Sequence, residues 1–149
     1  MSVELDIQRQ INNKNLPSDK QLEDWALSAL QQDDAQISLL IVDENESQRL
    51  NNEYRQKNKP TNVLSFEVQL PDDVQLPLQG DLVICAPVVE KEAAEQDKKL
   101  HEHWAHMMIH GMLHLQGYDH INDNDAQKME KLEIKLLQQL GINNPYGTV

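Results

Sequence analysis

Three histidines, His110, His114 and His120, stand at the spacing His-x3-His-x5-His in the segment His110-Gly111-Met112-Leu113-His114-Leu115-Gln116-Gly117-Tyr118-Asp119-His120. On an α-helix a step of four residues leaves two side chains about 40° apart and one turn apart, so His110 and His114 share a face. Both imidazoles can then reach one metal ion. Gly117 follows three residues after His114 and suits the left-handed position that ends a helix. A break there lets the chain fold back, so that His120 supplies a third nitrogen from outside the helix.

Neutral imidazole is the commonest protein ligand for zinc. Structural zinc sites are usually closed by four protein ligands, often cysteines, whereas catalytic sites keep three and leave a position for water. The single cysteine, Cys85, is far from the histidines in sequence. Three histidines without a local cysteine therefore favour an open, hydrolytic site holding one Zn2+ ion. The competing reading is a histidine-rich helix surface with no metal, since all six histidines fall between positions 101 and 120. The spacing, the glycine and the returning histidine agree with one another and favour the metal. The pattern is similar to the His-Glu-x-x-His-x-x-Gly-x-x-His of metzincin proteases, but Gly111 stands where they carry the general-base glutamate. Glycine moves no proton, so a peptidase of the usual mechanism is not expected.

The whole segment 110–120 resembles the signature of the bacterial YbeY family, zinc-dependent endoribonucleases linked to ribosomal RNA maturation. Tyr54-Arg55-Gln56-Lys57-Asn58-Lys59-Pro60-Thr61-Asn62-Val63-Leu64-Ser65-Phe66 resembles the family's second signature, and Gly80-Asp81-Leu82-Val83-Ile84-Cys85 a third. The resemblance implies an α+β fold, a small mixed β-sheet packed with about five helices and akin to the metzincin zinc-protease core. It implies a single-strand-favouring endoribonuclease acting in small-subunit rRNA 3′-end processing and ribosome quality control. It also implies Arg55 as the cation facing phosphate, for which the guanidinium fork is well shaped. Without the resemblance, Arg55 reads as a helix C-terminal arginine favoured by the macrodipole. Lys57, Lys59 and Asn62 are candidate substrate contacts, with Ser65 beside them. Asp119 either orients an imidazole, assists a water, or makes local turn hydrogen bonds. Asp81 is a weaker candidate proton acceptor. His106, one turn before His110, reads as a packed or solvated histidine.

The 149 residues suggest one domain spanning 1–149. The 39% hydrophobic and 26% charged content fits a globular chain, and no apolar run reaches the ~18 residues of a membrane span. The acidic, alternating N-terminus does not read as a signal peptide. One cysteine fits a reducing cytoplasm. A net charge of −12 repels free RNA at long range and argues against nucleic-acid binding by bulk charge, with no DNA partner expected. Locally, Arg49, Arg55, Lys57 and Lys59 face only Glu53, a surplus of three positive charges between 49 and 62. That stretch is either a solvated loop or a basic lip beside the metal. The acidic remainder suggests that single-stranded rRNA is presented by the small ribosomal subunit or its proteins. Two rivals stand beside this reading: a zinc hydrolase of another substrate class, and a non-catalytic assembly factor with structural zinc.

The elements that must position these residues follow from periodicity. Val3, Leu5 and Ile7 alternate with polar residues as a half-buried strand. Ser18 and Gln21 form a capping box before an amphipathic helix over about 18–32 anchored by Trp25. Ile37–Val42 reads as a continuous buried strand. Asp43 caps a helix with Ser47, Leu50 and Tyr54 on its inner face, delivering Arg55 at its end. Val63–Val68 and Asp81–Ala86 read as strands around a Pro- and Asp-containing loop at 70–79, a surface flap or a hairpin connection. Pro87 opens a helix, and Asp97-Lys98-Lys99 breaks or joins helices. Leu100–Gln116 carries the ligands. Asn122 caps a last helix with Met129, Leu132, Leu136, Leu137 and Leu140 inward, Gly141 ends it, and the tail 142–149 reads as loose.

Overall fold

The computed structural model describes residues 1–68, 71, 73, 76–119 and 122–146. Four strands, β1 (Ser2–Arg9), β2 (Asp34–Val42), β3 (Val63–Glu67) and β4 (Leu78–Cys85), form one sheet in the order β1-β2-β4-β3. β1, β2 and β4 run parallel, and β3 pairs antiparallel with β4. Five helices complete the expected α+β order: α1 (Asp19–Ala29), α2 (Glu44–Arg55), α3 (Ala86–Glu95), α4 (Leu100–Leu115) and α5 (Asp123–Gln139). No described helix is long and apolar enough to cross a membrane.

Several boundaries differ from the periodicity reading, each for a local reason. β2 starts at Asp34, and it alternates up to Leu39. Ala35, Ile37 and Leu39 are buried, while Gln36 and Ser38 are exposed. Its outer face is therefore open, where a continuous buried run was expected. β4 begins at Leu78, so the end of the expected 70–79 loop is strand; much of the remainder lies outside the described residues. The capping box of α1 is present, with Ser18 and Gln21 bonded in both directions. The helix ends earlier than expected because Leu30 turns extended.

The chain just after α1 is held by one side chain. Gln116 accepts from the Gln31 amide at 2.6 Å and donates to the carbonyls of Ala29 and Met112 at 2.9 Å each. It ties the C-terminal end of α4 to the end of α1. Three hydrogen bonds at a net ~1 kcal/mol or less apiece put the loss in Gln116→Ala at about 2 kcal/mol. A lowered urea midpoint with an unchanged slope checks this.

Helix α4 is the centre of the fold. It packs against α1, α3, α5, β3 and β4. Eleven of its sixteen residues are buried, so it has no solvent face of the usual kind. Its approach to the sheet is close because glycine stands on both sides of the contact. A Cβ at Gly80 of β4 would meet the Leu115 Cδ2 at 2.6 Å, and one at Gly111 of α4 would meet the Leu82 Cδ2 at 2.8 Å. Left-handed residues end the helices at each side of the site. Asp97 (φ 54) separates α3 from α4, and the Lys98 amide returns to the Ala93 carbonyl at 2.8 Å. Gly117 (φ 97) ends α4 as expected, with the Tyr118 amide on the Leu113 carbonyl at 3.1 Å. On α5, Met129, Leu136 and Leu137 are buried, but Leu140 is 38% exposed at the helix end. Tyr54 is also exposed, at 51%, and its ring meets Phe66 edge-on.

Candidate metal centre and cleft

His110 and His114 lie one turn apart on α4, and their Nε2 atoms face each other at 3.1 Å. The other nitrogen of His110, Nδ1, is 2.7 Å from Oε1 of Glu133 on α5. Glu133 is fully buried, and its second oxygen takes His106 Nε2 at 2.7 Å and the Tyr146 hydroxyl. Burial alone would raise this carboxyl. The hydrogen bonds from His106 and His110 outweigh it and hold the group at about 2. An ionised carboxylate only accepts, so His106, His110 and Tyr146 all donate to it. In a neutral His110 that contact places the proton on Nδ1 and leaves the Nε2 lone pair towards His114. The Tyr146 hydroxyl, buried against that anion, is pushed far above its usual range.

Such a donor set, with a carboxylate behind it, could hold a metal ion. Two nitrogens about 2.0–2.1 Å from one tetrahedral zinc stand roughly 3.3 Å apart, close to the separation found. A ligating histidine commonly donates its other N–H to a carboxylate. His106, His110 and Glu133 also place one donor atom each within 4.8 Å of one another, a grouping able to hold a metal ion. A cation placed on Glu133 itself would have to displace donors from a buried carboxylate that already has three. One on the Nε2 side of His110 and His114 displaces none of these. His120, the expected third ligand, lies outside the described residues.

The Nε2 side opens into a cleft of about 610 Å³ whose walls include Arg55, Asn62, Ser65, His110, His114 and Asp119. The polar inner face of α2 anchors the segment that leads into the cleft wall at 62–67. Ser47 and Asn51 are buried there, and they bind Thr61 and the Lys59 carbonyl at 2.9 Å, which fixes the chain from 59 to 62. Arg55 is the last residue of α2, and left-handed Gln56 caps the helix behind it. Its guanidinium donates to the carbonyls of Tyr54 and Ser65 at 3.2 and 2.9 Å and lies 5.1 Å from the Phe66 ring centre. Phe66 and the Ser65 carbonyl thus hold a cation on the wall of the cleft that His110 and His114 also line. Asn62 donates to both oxygens of Glu92 at 3.1 and 3.2 Å.

The basic lip is narrower than the sequence suggested. Arg49 is spent on Glu46 and Glu53, and Lys57 and Lys59 are exposed but do not line the cleft. Asp119 does line it, while Asp81 lies on the opposite side of the sheet among Asp6, Ser38 and Val83. His106 is packed, as one reading had it, but with a partner that periodicity did not reveal. Glu133 is the residue sequence reasoning missed. The available signal was a carboxylate inside the apolar stripe of α5, four residues from both Met129 and Leu137. The tail is also tied down further than expected, through Ile142 against the core and Tyr146 on Glu133.

The family model described as Endoribonuclease YbeY matches residues 6–141. Among solved structures, the fold is similar to the solution structure of TM1509 from Thermotoga maritima. The TM-score is 0.53 and the identity 24%, over 97% of this chain and 96% of that one. A match over nearly the whole length, on a chain that also presents a histidine–carboxylate cluster able to hold a metal, places this protein in the YbeY family of endoribonucleases.

Proposed function

We propose that the protein is a zinc-dependent endoribonuclease that favours single-stranded RNA and matures the 3′ end of small-subunit rRNA, with a part in ribosome quality control. One catalytic unit over 1–149, working in the cytoplasm with RNA presented by the small ribosomal subunit, fits the acidic surface. The carrying observation is the His110 Nε2, held outward by Glu133 and facing His114 Nε2 in the same cleft as Arg55. His110, His114 and His120 would hold one Zn2+, which supplies a Lewis acid for a phosphoryl oxygen and brings the pKa of water towards about 7.

The chain's own groups do the rest. Glu133 keeps the His110 proton on Nδ1, so the ring stays a ligand. Arg55 meets the charge that builds on the non-bridging oxygens, and its stacking on Phe66 removes the cost of ordering it at that moment. Asn62, braced by Glu92, offers a polar edge to the sugar or backbone. Asp119, at the cleft edge, takes the proton that the attacking hydroxyl gives up as its oxygen bonds to phosphorus, and the departing ribose oxygen takes one from solvent. Gly111 leaves no glutamate for peptide chemistry.

The test is cleavage of an end-labelled, unstructured RNA by the purified protein beside His114→Ala and Arg55→Ala. Loss of one electrostatic donor lowers kcat by about 10²–10³, so Arg55→Ala should keep its zinc and lose most cleavage. His114→Ala should lose both. Equal cutting by all three proteins would assign the activity to a contaminant and leave a non-catalytic assembly factor as the better reading.

A further inference from the structure

Behind the cleft lies a second cavity, of about 730 Å³, between α3, α4 and the C-terminal segment. It shares Asn62 and His110 with the first cavity, so the two meet at the metal-facing histidine. An endonuclease must hold its chain on both sides of the bond it cuts. The first cleft, with Asn62 and Ser65 beside Arg55 at the scissile phosphate, serves one side. The other side has its own cation, aromatic ring and polar edge.

Among the described lining residues Lys98 is the only lysine or arginine. Its backbone is fixed by the left-handed turn at Asp97. Among the described residues no carboxylate lies within ion-pair distance of it. Partial burial lowers its ammonium pKa, with Glu92 opposing the effect, as suits a cation awaiting an anion. Tyr146 has its hydroxyl anchored on Glu133 and its ring edge-on to His106, yet it remains 46% exposed. A ring fixed at its polar end and open to solvent is a ready platform for a base. Glu92 is held by Asn62 and by the buried His103 at 3.0 Å, so its acceptor edge is oriented in advance. Glu92 and Glu130 repel phosphate from the rest of the wall, which restricts a phosphate to Lys98 and leaves the acidic edge for base or ribose donors.

We propose that this cavity is a second nucleotide subsite, which holds the single-stranded RNA on the other side of the scissile phosphate. Tyr146 stacks on the base, Lys98 takes the flanking phosphate, and Glu92 accepts from the base edge or the 2′-hydroxyl. This rests on the RNA-cleaving reading above.

The measurement is fluorescence anisotropy of a labelled single-stranded RNA with the metal-loaded protein in an Arg55→Ala background, which keeps its metal and loses most cleavage, at several salt concentrations, with the RNA confirmed intact on a gel afterwards. Tyr146→Ala should weaken binding roughly five- to hundredfold, the range for one stacked base, while Tyr146→Phe keeps the ring and most of the affinity. Lys98→Ala should reduce the slope of log K against log salt by about 0.7, the share of one single-strand phosphate contact. Lys98→Arg should restore it, and Lys99→Ala should leave it unchanged. Equal losses in Tyr146→Phe and Tyr146→Ala would assign Tyr146 only to bracing Glu133 and overturn the stacking role. Equal slopes in Lys98→Ala and Lys99→Ala would reduce the effect to diffuse charge and overturn the phosphate contact. Wild-type protein that cleaves RNA while every variant binds as its Arg55→Ala parent does would defeat the subsite alone; wild-type protein that neither binds nor cleaves RNA would defeat the enzymatic reading with it.

Discussion

Glu133→Gln should fold and yet bind zinc about 10–100-fold more weakly, as expected when the carboxylate orienting a histidine ligand is lost. The two side chains have nearly the same shape, so packing on α5 is little disturbed. Their hydrogen-bonding sense differs. The carboxylate accepts from three donors: His106 at 2.7 Å, His110 at 2.7 Å and Tyr146. An amide has one accepting oxygen and one donating nitrogen. Whichever histidine faces the nitrogen must turn its ring or shift its proton. If it is His110, the proton moves to Nε2, the atom that faces His114 at 3.1 Å, and the lone pair needed for a metal is gone. Competition against a chelator of known affinity reads this directly. An unchanged zinc affinity in Glu133→Gln would remove Glu133 from the site and return it to a purely structural role.

Glu133→Ala should do something different. It leaves three donors without their acceptor and opens a void beneath α4, and each buried donor left unsatisfied costs about 1–3 kcal/mol. Loss of stability and loss of metal should therefore separate between the two variants: Gln mainly affects the metal, Ala affects both.

The facing of His110 and His114 was legible because it obeys the helical period, and Gly117 because a left-handed cap has a preferred residue. The element order was legible for the same reason: alternation in β1, the Ser18 capping box and the Asp43 and Asn122 caps all follow local rules. Partners set by tertiary contact were not. Glu133 is 23 residues from His110, and nothing local distinguishes it from a solvated glutamate except its place in an apolar stripe. α4 conceals its faces because it is buried nearly all round, so His103 and His106 sit at core positions that amphipathicity cannot mark. Tyr146 lies in a segment whose terminal position marks it as loose; its hydroxyl instead reaches the buried carboxylate. Leu140 and Tyr54 differ the other way: both stand at helix ends and stay exposed.

Gly111 shows what a motif alone cannot. In sequence it reads as a lost general base, which invites the thought that Gly111→Glu would restore peptidase chemistry. The structure predicts instead that Gly111→Glu yields no stably folded protein. The Cβ direction at 111 runs into the sheet, 2.8 Å from Leu82 Cδ2 and 3.3 Å from Val63 Cγ2. Leu82 is fully buried, so its side chain has little room to retreat. A glutamate there would overpack the α4–β4 contact and drive a charge into apolar surroundings, where no partner awaits it. Gly111→Ala separates the two effects. It adds only the methyl, and the better helix propensity, about 1 kcal/mol, offsets part of an overpacking cost of about 1–3 kcal/mol. Alanine should therefore give a folded, modestly destabilised protein that still binds zinc, and glutamate a protein without a cooperative thermal transition. A folded Gly111→Glu with full zinc content would mean that this face of α4 turns towards the cleft, and that the close glycine contact with the sheet does not set the height of the ligand helix.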